Sequence, residues 1–249
     1  MVVSQSFNSF LSHINQFMNE CEGSIWFRGH SNIGEDGQHK DYTLDSTLFR
    51  ITKNLDDIKR LETNFIYEFM TKGYSLHETT NEWDLLYVMQ HHGAPTRLLD
   101  WTNSLAVALF FATRNWNPEV NEPSIWLLNP IKLNEKMTGE DNLIMPRGDF
   151  TKYVSDDNLS SHAIAPIYNS PRLIAQQGQF TLQGNFNGDL KKELEAKNTF
   201  YSDVLREVRI TADIFDDVIS YIHMNGIDDF TIFPDFVGLS SLVSKRTGI

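Results

Sequence analysis

The chain has 249 residues, room for one large domain or two small ones with a buried core. Hydrophobic residues make up 41%, aromatics 12% and charged residues 22%, values that exclude a disordered or collagen-like chain. With 21 Lys and Arg against 33 Asp and Glu, the formal net charge is −12, which disfavours whole-surface attraction to nucleic-acid phosphate or anionic lipid and leaves a local basic cleft open. The longest apolar run, Leu105 to Ala112, is far short of the roughly 20 residues that cross a bilayer. The opening MVVSQSFNSF has no basic stretch followed by an apolar one, so a soluble, cytoplasmic protein without a membrane partner is expected. The single cysteine, Cys21, excludes an intrachain disulfide and any Cys-rich zinc site.

Phe7, Phe10, Leu11, Ile14, Phe17 and Met18 recur at helical spacing, which predicts an amphipathic helix over residues 1–22 packed on the body. Ser24 to His30 reads as a strand ending in Arg28-Gly29-His30, followed by a polar loop from Ser31 to Asp41. Helices are predicted from Asp56 to Lys72, stopped by Gly73, and from Glu82 to His91, with Asn81 as N-cap and Gly93 beyond the end. Pro95 makes Gly93 to Thr96 a turn or extended connection. Thr96 to Trp101 then links to a helix capped by Thr102 or Asn103, running from Ser104 to about Asn115, apolar on nearly every side and hence central.

In the second half a strand lies between Pro123 and Pro130, and Lys132 to Ser161 is polar and irregular. Strands are expected at Arg172 to Ala175, Gln179 to Leu182, Val204 to Ile210 and Phe230 to Phe233. Helices are expected at Leu190 to Lys197, around Ile214 to Ile222 before Gly226, and, short, after Pro234. No internal repeat or linker interrupts this order. It describes an α+β protein, a single compact domain over residues 1–249 with helices early and a mixed or antiparallel sheet core.

Three clusters carry chemistry. Arg28, a charge closing an apolar strand beside a glycine, suits a phosphate held through bidentate bonds, with a structural ion pair as the competing account. His91 to Thr102 gathers imidazoles, hydroxyls, a guanidinium, a carboxylate and an indole at a helix entry. Its plain alternative pairs Asp100 with Arg97 and leaves Thr102 as a cap. Ser170 to Thr181 places Gln176 beside a glycine, as a ligand contact or as a bulge. No His spacing suits a metal, and neither a Walker loop, a dinucleotide fingerprint nor a Gly-x-Ser-x-Gly elbow is present.

In this order the clusters resemble the FRG domain family, whose Phe-Arg-Gly motif stands here as Phe27-Arg28-Gly29. The resemblance continues through Gly93-x-Pro95-Thr96-Arg97-Leu98-Leu99-Asp100-Trp101-Thr102 and the helix around Ala108. It then takes in Arg172-x-x-Ala175-Gln176-x-Gly178-x-Phe180-Thr181, Gly226-Ile227 and Phe233-Pro234-Asp235, covering the chain from Trp26 to about Leu242. More distantly it is similar to ADP-ribosyltransferases. That similarity implies an ADP-ribosyltransferase-like fold and NAD as substrate, without a metal. It implies that Arg28, Gly29 and His30 hold the pyrophosphate or ribose, and that Thr96, Arg97, Asp100 and Thr102 shape the nicotinamide-ribose pocket, with Trp101 or Trp26 stacking on a ring. Cleavage of the nicotinamide–ribose bond passes through an oxocarbenium-like state that calls for a carboxylate. The implied catalytic set is Arg28, Asp100, Gln176 and Glu207, where Gln176 stands in place of a glutamate and Glu207 reads more readily as a solvent-facing strand residue paired with Arg206 or Arg209. The implied activity is transfer to a macromolecular acceptor (RNA, DNA or protein) by a toxin or antiviral effector, with an antitoxin or inhibitory protein as a partner. A non-catalytic nucleotide- or peptide-binding module and an NAD glycohydrolase are the alternatives.

Overall fold

The computed structural model describes residues 3–21, 23–34, 37–77, 79–114, 116–197 and 201–248. Six strands, β1 (Trp26–His30), β2 (Leu98–Thr102), β3 (Ser124–Leu128), β4 (His162–Ile164), β5 (Gly178–Leu182) and β6 (Leu205–Arg209), form one sheet in the order β4-β5-β2-β1-β3-β6. Every strand pair in it is antiparallel. Around it lie α1 (Gln5–Glu20), α2 (Thr47–Ile51), α3 (Leu55–Lys72), α4 (Tyr74–His77), α5 (Glu82–His91), α6 (Leu105–Thr113), α7 (Pro130–Thr138) and α8 (Phe150–Val154). They are followed by α9 (Pro171–Ala175), α10 (Leu190–Ala196), α11 (Phe215–Met224), α12 (Asp229–Ile232) and α13 (Phe236–Thr247). The architecture is α+β in a single domain.

Strand alternation divides the apolar residues between the two faces. Phe27, Ile125 and Leu127 pack with Phe7, Phe10, Ile14 and Phe17 of α1, with α6 and with α11. Trp26, Trp126 and Leu128 point the other way, into a second core with Leu133 of α7 and Leu190 and Leu194 of α10. A third core joins Leu98, Phe180 and Leu182 to α3, α5 and α8. The opening helix therefore docks through the face that its periodicity marks, while Met18 stays exposed. The termini expected for two helices, Glu22 and Asn115, lie outside the described residues.

The α5 boundaries and its Asn81 cap, which accepts from the Trp83 and Asp84 amides, agree with the sequence reading. Several other elements correct it. Thr96 to Trp101 is no mere link: Leu98–Thr102 is an inner strand paired with β5 along its whole length. Arg172 to Ala175 is helical, because Ser170 caps the Leu173 amide and Pro171 opens the first turn. Phe230 to Phe233, expected as a strand, contains the α12 turn, held by a capping box between Asp228 and Thr231. The region called irregular holds α7 and α8, capped by Asn129 and Asp149. Ser104, rather than Thr102 or Asn103, caps α6. The helix after Pro234 is longer than expected, reaching Thr247 before Gly248 closes it with a left-handed φ of 74°.

Candidate functional site

The sheet is not evenly knit. β1 pairs with β3 from Trp26 through His30, but with β2 the register holds only where Phe27 faces Thr102. Beyond that pair the two strands separate, and a cleft of about 410 Å³ opens between them. Its walls come from β1, β2, α5, α6 and α9, so the split in the sheet brings all three sequence clusters to one place.

Arg28 bridges the split. Its Nη1 donates to the Asp100 carbonyl at 2.6 Å and its Nε donates to His30 Nε2 at 3.1 Å. Burial lowers the guanidinium pKa to about 10; Asp100 opposes the shift and the nearby Arg50 adds to it. Because His30 Nε2 accepts, the neutral ring carries its hydrogen on Nδ1. Burial, then Arg28 and Arg50, hold this imidazole well below its usual 6.5, with the Tyr42 backbone acting in the opposite sense. Gly29 lines the cleft for a reason other than ligand access. A Cβ there would lie 2.0 Å from the Ala108 carbonyl oxygen and 2.6 Å from the Ala112 nitrogen, so the glycine is what lets β1 cross α6.

Asp100 is exposed on the opposite wall. Gln90 Nε2 donates to its Oδ2 at 2.9 Å, and Thr96 Oγ1 donates to Gln90 Oε1 at 2.5 Å. The hydroxyl fixes which end of the Gln90 amide faces the carboxylate, and so fixes the carboxylate. Thr96 also fastens α2, through Leu48 N donating to its carbonyl at 3.0 Å and its own N–H donating to Thr47 Oγ1 at 3.1 Å. It is buried and positions groups on both sides instead of touching the cleft. Thr102 Oγ1 donates to the Gln176 carbonyl at 2.7 Å, which ties β2 to the turn after α9, where Gln177 takes a φ of 47°. Gln176 itself lines the cleft while its Nε2 donates to the Ile232 carbonyl at 3.3 Å. Arg172 lies 4.7 Å over the Phe233 ring at the rim. His91 has its pKa lowered by burial first, then by His92 and Arg172, against Asp235.

Other expected site residues stand elsewhere. Arg97 is 0% exposed and pairs with Glu62, 3% exposed, through Nε at 2.8 Å and Nη2 at 2.6 Å. Its Nη1 serves the Gln183 carbonyl and Asn185 Oδ1. It is a structural cation buried away from the cleft, and Asp100 is not its partner. Trp26 lies in the core behind the sheet. Trp101 reaches the cleft wall, but its Nε1 donates to Thr181 Oγ1 at 3.0 Å, and at 3% exposure its ring is packing and not a stacking platform. Glu207 is exposed on the edge strand β6, opposite Trp126, and does not line the cleft. Among the described residues no group of three or more His, Cys, Asp or Glu is placed to hold a metal. None of the described helices is long and apolar enough to cross a membrane.

Sequence reading missed Gln90, Tyr42 and Arg50, all cleft residues. Gln90 precedes His91 on a helix already singled out, and that neighbour is the signal that could have pointed to it. Tyr42 and Arg50 arrive through a loop and a short helix that carry no motif.

The matched stretch of sequence falls on this same architecture. Residues 23–121 match the FRG domain. The match runs from just before β1 to beyond α6, so the matched segment supplies Arg28, Gly29, His30, Gln90, Asp100 and Thr102, while Arg172 and Gln176 come from the chain beyond it. No curated protein and no solved structure matched the chain.

Proposed function

We propose that the cleft binds a phosphate-bearing nucleotide, with NAD as the ligand that uses its full set of groups, and that the protein breaks the nicotinamide–ribose bond. One observation carries this reading. In a chain of net charge −12, the cleft is lined by Arg28, Arg50 and Arg172, and among the described residues Asp100 is its only carboxylate. Such a local reversal of charge favours a di- or polyanionic ligand. Guanidinium groups match phosphate oxygens in geometry as well as charge. Tyr42, Phe111 and Phe180 supply apolar surface for a ring.

Asp100 then faces the sugar. As the bond from ribose C1′ to nicotinamide nitrogen breaks, the electron pair leaves with the nitrogen, and the carboxylate held by Gln90 stabilises the positive charge left on the sugar. A nucleophilic oxygen or nitrogen of the acceptor forms the new bond to C1′ and gives its proton to Asp100 or to water. Gln176 orients the substrate without supplying charge. A macromolecular acceptor makes the reaction ADP-ribosyl transfer, and water makes it NAD hydrolysis.

The test is incubation of the purified protein with NAD labelled on the adenylate side, with and without cell extract, following free nicotinamide and the fate of the label. Attached label supports transfer and names the acceptor class, whereas free ADP-ribose alone supports hydrolysis. The absence of nicotinamide release in both conditions refutes turnover. A second reading, nucleotide binding without chemistry, draws on the position of Glu207 outside the cleft, which leaves Asp100 without a second carboxylate among the described residues. Ligand stabilisation with no product distinguishes it.

A further inference from the structure

A second cavity, also about 410 Å³, abuts the cleft and shares Tyr42 and Arg50 with it. Lys40, Asp41, Thr43, Asp45, Phe49 and Lys53 make up most of the rest of its wall. Its charges are unequally satisfied. Lys53 is paired with Asp45, which also accepts from Thr43 Oγ1 and Gln183 Nε2. Asp41 is exposed, its carboxylate 3.3 Å from the His39 imidazole. Lys40 and Arg50 have neither an ion pair nor a side-chain hydrogen bond among the described residues. Each instead faces the Tyr42 ring, with Lys40 Nζ 5.7 Å and the Arg50 guanidinium carbon 6.0 Å from its centroid.

Arg50 also stands close enough to Arg28 for their charges to oppose one another. Two guanidinium groups that repel each other, one bonded to a carbonyl and the other facing only an aromatic ring, favour an anion between them. Beyond Arg50 the next unpaired cation is Lys40, with the aromatic ring between them. Cations spaced along a groove with an aromatic face among them suit a chain of phosphates carrying bases.

We propose that the second cavity seats a phosphodiester backbone, so that the two cavities form one track for a single-stranded nucleic acid, which is the acceptor of the reaction. This rests on the reading of the cleft as a nucleotide site and names its macromolecular substrate. Arg50 holds the phosphate at the junction and Lys40 the next one, with the Tyr42 ring as the apolar floor between them. The net charge of −12 is compatible with this, because a confined strand needs only the local cations, whereas a duplex would meet the acidic surface.

The experiment is fluorescence anisotropy with labelled single-stranded RNA and DNA of about ten nucleotides. The wild-type protein is compared with Lys40→Gln and Arg50→Gln across a range of salt, with NAD binding measured in parallel by calorimetry. Both side chains are exposed, so the variants keep the fold. Lys40→Gln should weaken oligonucleotide binding about tenfold and reduce the salt slope by about 0.7, while NAD affinity stays unchanged. Arg50→Gln should weaken both ligands. Wild-type oligonucleotide affinity in both variants overturns the proposal, as does absence of oligonucleotide binding or equal affinity for an acidic peptide. An equal loss of NAD binding in Lys40→Gln also overturns it, because the cavity then belongs to the dinucleotide. If the oligonucleotide binds through Lys40 while NAD does not bind at all, the track stands and the NAD reading falls.

Discussion

Replacing Arg97 by Met separates a structural arginine from a ligand-binding one. The substitution leaves the Glu62 carboxylate buried without its two charge-assisted bonds, at 2.8 and 2.6 Å, and strips a donor from the Gln183 carbonyl and Asn185 Oδ1. Removing one partner of a fully buried pair destabilises by about 3–5 kcal/mol, a large share of the roughly 5–15 kcal/mol that a domain has in total. At this chain length each kcal/mol moves the thermal midpoint by about 2–4 °C, so the midpoint should fall by roughly 6–20 °C. Calorimetric and urea unfolding measure it directly. The double variant Glu62→Met with Arg97→Met removes both charges and should recover at least half of the loss. An Arg97→Met protein as stable as the parent but unable to bind NAD would refute the assignment and return Arg97 to the site.

Further outcomes follow from the same geometry. Gly29→Ala drives a Cβ onto the Ala108 carbonyl and should destabilise by about 3 kcal/mol, or yield insoluble protein; normal solubility and an unchanged urea midpoint would count against the close β1–α6 crossing. Asp100→Asn alters only an exposed side chain, so the thermal midpoint should stay with the parent while nicotinamide release falls by at least a hundredfold, on the order of a lost electrostatic stabiliser. Retained turnover would remove Asp100 from the chemistry. His30 and His162 are held below their usual 6.5 mainly by burial, so below that pH the unfolded chain takes up protons that the folded chain refuses. Stability should therefore fall as pH drops, by up to about 1.4 kcal/mol per pH unit for each histidine. Glu193, raised by burial, acts in the opposite sense from about its ordinary 4.5 upward. Urea midpoints on either side of pH 6.5 read the sum, and His30→Asn should flatten the slope.

Much of the frame was legible because the signals were local. The Asn81 cap and Gly93 bracket α5, and the apolar spacing of Phe7 to Phe17 marks the buried face of α1. Short elements were misread where capping overrides composition. Leu173 and Ile174 look like strand residues until Ser170 and Pro171 start a turn of helix. In the same way Asp228 and Thr231 close a turn that Phe230 and Ile232 do not announce. The site was legible as three clusters but not as roles. Arg97 and Asp100 share one motif, yet Arg97, just before the strand, turns into the interior against Glu62, distant in sequence, while Asp100 on the strand stays at the cleft. That partition depends on a contact across 35 residues, which no local pattern carries. Arg50 depends likewise on α2 being stitched to Thr96.

The most direct test of the account is calorimetric titration of NAD into the wild-type protein and into Arg28→Gln, with the thermal midpoint of each recorded. Saturable binding to one site in the wild type, weakened at least tenfold in a variant that remains folded, is the predicted result. No binding to the wild type, or equal affinity in Arg28→Gln, would contradict the claim that the split between β1 and β2 is a nucleotide site.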